Sequence, residues 1–272
     1  MSAAALPAIT AGLRPELFGE AGARSLSRTL QVAVLSVLVI VGFGFRVNGL
    51  STEGLSEDEL NKLNAVSDYR AHGLTAANGE HPLLMKAMLT VSVIGAENWN
   101  ATALVATHPE LNLPIETSLR LPNSLFGALT VVLIFLVASE LFGLEAALIA
   151  AALWAFDPLA IGFNRIAKED TLLVFFFLLA NVFWLRGQRV AESQSQRRPE
   201  PFYWATAAAF GAMLASKYLP QMIAISVGYN YAFQRIPITR WQIGKKRFLK
   251  FFLVMGAVFL VCNPSILLPG SW

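Results

Sequence analysis

Long apolar segments separated by shorter polar ones run along most of the chain. A transmembrane helix needs about 17 to 25 mainly apolar residues, and seven segments approach or reach that length: 29–47, 121–139, 146–163, 171–186, 202–216, 219–234 and 249–268. The polar stretch 48–118 is too long for a simple turn, and the apolar run after Pro82 predicts a short helix at the membrane surface. The pattern therefore predicts an all-α integral membrane protein. Its multispan bundle has about seven transmembrane helices and a long external first loop bearing short interfacial helices.

The composition supports this membrane class. The 272 residues are 55% hydrophobic and only 14% charged, with a mean hydropathy of +0.54, whereas a soluble domain carries about 25% charged residues. No small-residue cleavage site follows the arginine-bearing N-terminal segment 1–28, so we interpret the next apolar segment as a retained span rather than a signal peptide. Residues 29–272 then form a single transmembrane domain. The lone cysteine, Cys262, excludes an intramolecular disulfide.

The distribution of lysine and arginine predicts the orientation in the membrane. With a cytoplasmic N-terminus, most of the 21 Lys and Arg residues fall in the segments assigned to the inside, namely 1–28, 186–201 and 235–250. The inside segment 140–145 departs from this rule because it carries no cation. The acidic loop 48–118 falls outside. We expect a multi-pass protein of the plasma (inner) membrane, or of the endoplasmic reticulum if eukaryotic. The basic residues follow topology, so we expect no nucleic-acid partner.

The stretch Leu-Ser-Glu-Asp-Glu-Leu at 55–60 follows the first span closely. Ser56 and Glu59 have the spacing of a capping box, and Leu55 and Leu60 that of a hydrophobic staple. Asp58 and Glu59 should therefore lie in the first turn of a short helix. That helix is predicted to have an apolar face of Leu60, Leu63, Val66 and Tyr69. Acidic residues at a helix N-terminus are stabilised by the helix dipole and need no further role, which is the alternative reading.

Several charges lie at predicted span ends on the outer side, where topology does not require them. The cations are Arg120, Arg165, Lys168 and Lys217, and the acids are Asp157 and Asp170. Each long cation alone is explained by snorkelling to the interface. Together they predict an outer pocket for an anion such as a lipid-linked phosphate. Glu80, His81 and Lys86 are further candidates for the same site. No His or Cys spacing is typical of metal ligands, so no metal is expected.

Five motifs in order along the chain resemble those of the protein O-mannosyltransferases, lipid-phosphate-dependent glycosyltransferases of the GT-C fold. Asp58-Glu59 is similar to the family's Asp-Glu motif. The other four are Glu80–Lys86, in which Leu83 replaces a second proline, then Ser118–Thr130, Asn164–Asp170 and Lys217-Tyr218. The resemblance covers the chain from about residue 30 to its end. Enzymes of that family carry further spans and an outer domain, so we expect the chain to be incomplete at its C-terminus.

The resemblance implies a reaction and roles for these residues. A sugar, with mannose as the expected one, passes from polyprenyl or dolichyl phosphate to an acceptor hydroxyl with inversion at C1. The acceptor is expected to be a protein serine or threonine, with a lipid as the alternative, and homo- or hetero-oligomers stay open. No cofactor is implied beyond the lipid-linked donor. Asp58 would be the general base and Glu59 would position it. The expected phosphate ligands are Arg120, Arg165 and Lys217, and the other site candidates are Glu80, His81, Lys86, Lys168 and Asp170.

Two alternatives belong to other functional classes. A lipid or sugar transporter needs polar residues or broken helices near the middle of the membrane. The predicted spans are instead apolar through their middles and collect charge at one end. A non-catalytic or truncated membrane relative would keep the fold without transfer activity.

Overall fold

The computed structural model describes residues 27–193, 197–218, 225–228, 243 and 245–269. Within these residues the regular structure is helical, which confirms the all-α class. The helices are α1 (Arg28–Val47), α2 (Glu57–His72), α3 (Leu83–Asn100), α4 (Ala103–Thr107), α5 (Ile115–Phe142), α6 (Leu144–Phe156), α7 (Pro158–Asn164), α8 (Glu169–Glu192), α9 (Glu200–Leu214) and α10 (Lys245–Cys262). Two short 3₁₀ helices lie at Pro109–Leu111 and Pro264–Leu267. The described residues fall into two units, of which the first ends at Val34 and the second begins at Leu35.

Within the part of the chain that the structure describes, three helices are long and apolar enough to cross a membrane: α1, α5 and α8. The bent pair of α6 and α7 makes a fourth candidate if it counts as one span. The multispan membrane class is therefore confirmed, whereas the number seven is not. Helix α9 has only 15 residues, and α10 begins with the charged stretch 245–250, so neither qualifies by length and composition. The predicted span 219–234 lies mostly outside the described residues, as does most of the segment 1–28.

The segment 146–163, predicted as one span, consists of two helices. Helix α6 ends at Phe156, α7 begins at Pro158, and their axes differ by 58°. Proline has no N–H for the helix ladder and pushes the preceding residue towards extended backbone; Asp157 accordingly has φ −64° and ψ 119°. The Asp157 carboxylate then caps the new helix by accepting a hydrogen bond from the Ala160 N–H at 2.9 Å.

A proline also lies inside α5, at position 122. Pro122 cannot donate to the carbonyl of Ser118, four residues earlier. The hydroxyl of Ser92 in α3 donates to that carbonyl at 2.6 Å instead. The carbonyl that Pro122 leaves without a helical donor thus links α5 to α3.

Contacts along the helices fix their directions within the second unit. Helices α8 and α9 are antiparallel, because Thr206 lies against Ala180 while Lys217 lies against Asp170. Helix α10 runs in the same direction as α9, since Arg247 contacts Glu200 and Asn263 contacts Tyr218. We call the end at which α5 and α8 begin and α9 and α10 finish the charged end.

Among the described residues of the second unit, three apolar clusters form the core. One joins α8, α9 and α10 around Tyr203, Phe210 and Phe251. Another joins α2, α3, α5 and α8 around Leu89 and Leu119. A third packs α5 against α6, with alanines on the α6 side. The second cluster lies beneath the first loop and supports the residues of the charged end.

Candidate functional site

Helix α2 begins as the sequence predicts. The carboxylate of Glu59 accepts hydrogen bonds from the Ser56 backbone N–H at 3.0 Å and from the Ser56 hydroxyl at 3.1 Å. The capping box is confirmed, and Asp58 and Glu59 lie in the first turn. The predicted apolar face is wrong at Leu60, which is 46% exposed, whereas Val66 is buried. The buried side of α2 carries Glu59 and Lys62 as well, because each finds a charged partner there.

Glu59 forms a buried, bidentate pair with Arg120 of α5. Arg120 Nε donates to Glu59 Oε1 at 2.7 Å and Nη2 donates to Oε2 at 2.8 Å. The backbone N–H of Ala167 also donates to Glu59 Oε1, at 3.1 Å. Burial alone would raise the pKa of Glu59, but the hydrogen bonds from Arg120, Ser56 and Ala167 and the charge of Arg120 lower it to about 2. The pair therefore joins α2, α5 and the segment before α8.

All five N–H donors of Arg120 form hydrogen bonds with protein acceptors. Besides Glu59, its Nη1 donates to the carbonyls of Leu50 at 2.6 Å and Glu53 at 3.0 Å, and its Nη2 donates to that of Gly54 at 2.9 Å. A guanidinium has no further donors. A phosphate would have to displace one of these acceptors. The geometry favours Arg120 as the group that holds residues 50–54 and the start of α2.

Asp58 points away from this buried pair. Its carboxylate lies 2.8 Å from Lys168 Nζ, and the two side chains are 53% and 38% exposed. The hydrogen bond and charge of Lys168 lower the pKa of Asp58, and the same contact raises the pKa of Lys168. Asp58 is thus an ionised carboxylate that solvent can reach.

Residues 168–170 pair with three different parts of the chain. Lys168 contacts Asp58, Glu169 lies 3.2 Å from Lys62 and 3.5 Å from His81, and Asp170 lies 2.6 Å from Lys217. The three lysine pairs combine opposite charges. The predicted gathering of charge at one end is therefore present. These charges form a network of ion pairs and not a pocket of unpaired cations.

Lys86 stabilises the turn that precedes α3. Its ammonium donates to the carbonyls of Ala77, Asn78 and His81 at 3.2, 2.6 and 2.8 Å. Burial lowers the pKa of Lys86 to about 8, yet three carbonyl acceptors match the three donors of the charged form. Glu80 is exposed and accepts a hydrogen bond from Asn78. These contacts give Lys86 a structural role.

A cavity of about 420 Å³ opens between the α1–α2 connection and α7, lined in part by Glu53, Arg120 and Arg165. Arg165 Nη2 donates to the carbonyl of Gly49 at 3.0 Å. Within the described part of the chain, this is the one hydrogen bond from its guanidinium, so other donors remain for an anion. Of the three predicted phosphate ligands, Arg165 has the most N–H donors left for an anion. Lys217 is paired with Asp170.

Sequence reasoning missed Arg46, which is fully buried at the end of α1. It donates to the carbonyls of Gly42, Trp154 and Ala155 and, at 2.9 Å, to Asn164 Oδ1. The break between α6 and α7 leaves the last carbonyls of α6 without helical partners, and Arg46 satisfies two of them. The sequence did contain a signal for Arg46, because an arginine within an apolar span requires polar partners.

Asn263 was also missed, because nothing in its local sequence points to a distant partner. Its Oδ1 accepts from the backbone N–H of Leu83 at 2.8 Å, and its Nδ2 donates to the hydroxyl of Tyr218 at 2.9 Å. Pro82 at the N-cap of α3 offers no capping side chain, so Asn263 supplies the acceptor. The residue brings the end of α10 to the charged end.

Comparison with known proteins bears on more than half of the chain. The sequence profile described as dolichyl-phosphate-mannose-protein mannosyltransferase matches residues 111–267. No curated protein matches the chain. Among the described residues, no group of three or more His, Cys, Asp or Glu side chains is placed to hold a metal ion.

Proposed function

The chain belongs to the dolichyl-phosphate-mannose-protein mannosyltransferase family, and from this premise we propose that it transfers mannose from a polyprenyl or dolichyl phosphate to an acceptor hydroxyl. The family supports a mannosyltransferase-type glycosyltransferase of the membrane, with a lipid-phosphate-linked sugar as donor. The finer proposal adds a protein serine or threonine as acceptor, inversion at C1 and Asp58 as the general base.

The ion pair between Asp58 and Lys168 is the observation that supports the proposed role of Asp58. The family profile begins at residue 111, so α2 precedes the matched region. The pairs Asp58–Lys168 and Glu59–Arg120 attach the first turn of α2 to two places inside that region. Because Glu59 is buried while Asp58 is half exposed, Asp58 is the carboxylate of this turn that an acceptor hydroxyl reaches.

The proposed reaction breaks the bond between the sugar C1 and a phosphate oxygen, and forms a bond between C1 and the acceptor oxygen. The hydroxyl proton goes to Asp58, and the departing phosphate takes the electron pair. A general base must lie within hydrogen-bond reach of the proton it removes, and positive charge must stand where the phosphate gains charge. Arg165, beside the cavity, is the first candidate for that charge. Lys217 is the second, once it is released from Asp170.

The test compares Asp58→Asn with Glu57→Gln, which neutralises an exposed acid in the same helical turn. Each variant is reconstituted in liposomes with radiolabelled mannosyl polyprenyl phosphate and an acceptor peptide containing serine and threonine. Loss of a general base typically costs about 10²–10⁴ in rate, so Asp58→Asn should lose that much while Glu57→Gln stays within about twofold.

Two outcomes would contradict the proposal. Near-normal transfer by Asp58→Asn would remove Asp58 from the chemistry and leave it as a helix-start residue. Movement of labelled lipid across the bilayer without any transfer, in the unmodified protein, would favour a transporter instead.

A further inference from the structure

A second cavity, of about 530 Å³, lies at the end of the bundle opposite the charged end. It is lined by Arg197, Arg198, Glu200, Trp204 and Lys250, together with two prolines. Helix α8 has 24 residues and is therefore about 36 Å long. Since α9 begins where α8 finishes, this basic cavity lies roughly one membrane thickness away from Asp58.

The basic cavity carries net positive charge. Its acidic member, Glu200, lies 2.5 Å from Arg247 in α10, so that carboxylate is neutralised by a cation outside the lining. Arg198 and Lys250 then contribute positive charge to the cavity, and both side chains are exposed. Arg247 lies in turn over the ring of Tyr203, 5.9 Å from its centroid, which holds it in place.

One wall of the basic cavity is aromatic. The Lys250 ammonium lies over the ring of Trp204, 4.7 Å from its centroid. Tryptophan and basic residues together are typical of the zone where lipid headgroups meet the hydrocarbon. Topology alone explains an excess of cations in a short loop, but it requires neither a cavity nor a cation held against an indole.

We propose that this basic cavity binds the phosphate of an anionic phospholipid headgroup. Basic pockets between transmembrane helices suit such headgroups, and arginine side chains match the oxygens of a phosphodiester through paired N–H donors. The site is separate from the charged end. It does not depend on the transfer reaction proposed above, so either proposal can fail without the other.

The experiment measures binding of phosphatidylglycerol to the purified full chain by native mass spectrometry, with phosphatidylcholine as the neutral lipid. Arg198→Gln and Lys250→Gln are compared with Arg189→Gln, a cation near the same end of α8 that pairs with Glu140 outside the cavity. A basic residue near an anionic lipid surface contributes enough to change affinity about fivefold. Each cavity variant should lose about that factor, and Arg189→Gln should change by less than twofold.

Controls separate the sources of phosphate and the effects on folding. Thermal unfolding in phosphatidylcholine alone should be unchanged in all three variants. Glycerol 3-phosphate at matched concentration should not compete with phosphatidylglycerol; equal competition would show a site for a small soluble phosphate and overturn the lipid assignment. An equal loss of affinity in Arg189→Gln would overturn the assignment of the cavity as the binding site, because it would show a general attraction of the lipid to the basic surface.

Discussion

The two ends of the helical bundle both contain glutamate–arginine pairs, but in different surroundings. At the charged end the Glu59 and Arg120 side chains are 1% and 7% exposed, whereas Glu200 and Arg247 at the opposite end are 29% and 38% exposed. The bond lengths are similar, at 2.7 and 2.5 Å. Burial, and not the presence of a pair, distinguishes the ends. Removing one member of a buried pair strands a charge that water cannot solvate, while an exposed partner is simply rehydrated.

This difference separates structural from reactive charge. At the charged end the buried members Glu59, Arg120 and Lys86 bind carbonyls, N–H groups or one another, and thereby shape the first loop. Asp58 and Arg165, on the same surface, keep part of their polar atoms open. A catalytic carboxylate must be accessible to its substrate, and its neighbours must hold it in a fixed position. The buried pairs hold the residues around Asp58 in place.

The strongest test of the comparison removes one arginine from each end. Arg120→Ala should cost about 3–5 kcal/mol of unfolding free energy, because it leaves the Glu59 carboxylate buried and unpaired. Arg247→Ala should cost less, about 1–2 kcal/mol, because it removes a partly exposed pair and the contact of Arg247 with the Tyr203 ring. The measurement is denaturant unfolding of both variants in the same micelles.

The same pair of variants also tests the alternative role of Arg120. If Arg120 contacts the donor phosphate directly, Arg120→Ala should retain its stability and show a raised KM for the lipid-linked sugar. That result would overturn its assignment as the residue that holds the first loop.

The sequence predicted the start of α2 well, because capping is local. Ser56 and Glu59 lie within four residues of each other at the start of the helix, and the structure confirms their contact. It could not predict that Arg120 would be saturated by protein acceptors, because Leu50, Glu53 and Gly54 are about 70 positions away and contribute only backbone carbonyls. A carbonyl is present at every residue, so sequence carries no signal for such a partner.

The break at Asp157 shows a different limit. The dipeptide Asp157-Pro158 was visible, but apolarity on both sides favoured a continuous span in the prediction. What permits the break is Arg46, which satisfies the carbonyls of Trp154 and Ala155 from another helix. Tertiary contact thus decided between a kinked span and an interrupted one. The order of the motifs, by contrast, was sufficient to indicate the family that the profile comparison found.

Acid should weaken the charged end by protonating Glu59. The pKa of Glu59 is lowered to about 2 from an ordinary value of 4.5, so its contribution is fully present above about pH 4.5 and is lost as pH falls towards 2. The shift corresponds to about 3 kcal/mol. Unfolding free energy measured across this range should fall by about that amount, and Glu59→Gln should flatten the dependence. An unchanged slope in Glu59→Gln would assign the acid sensitivity to another group.

The smallest predicted effect concerns Asp58 and Lys168, which lie at the charged end but are exposed like the pair at the opposite end. If burial decides, a double-mutant cycle of Asp58→Asn and Lys168→Gln should give a coupling energy below about 1 kcal/mol, as for other exposed pairs. Transfer rates measured in the same cycle should behave differently, because Asp58→Asn alone removes the proposed base and Lys168→Gln then changes little more. A coupling of several kcal/mol in stability would show that location at the charged end outweighs exposure. Asp58 would then join Glu59 and Arg120 as a structural charge.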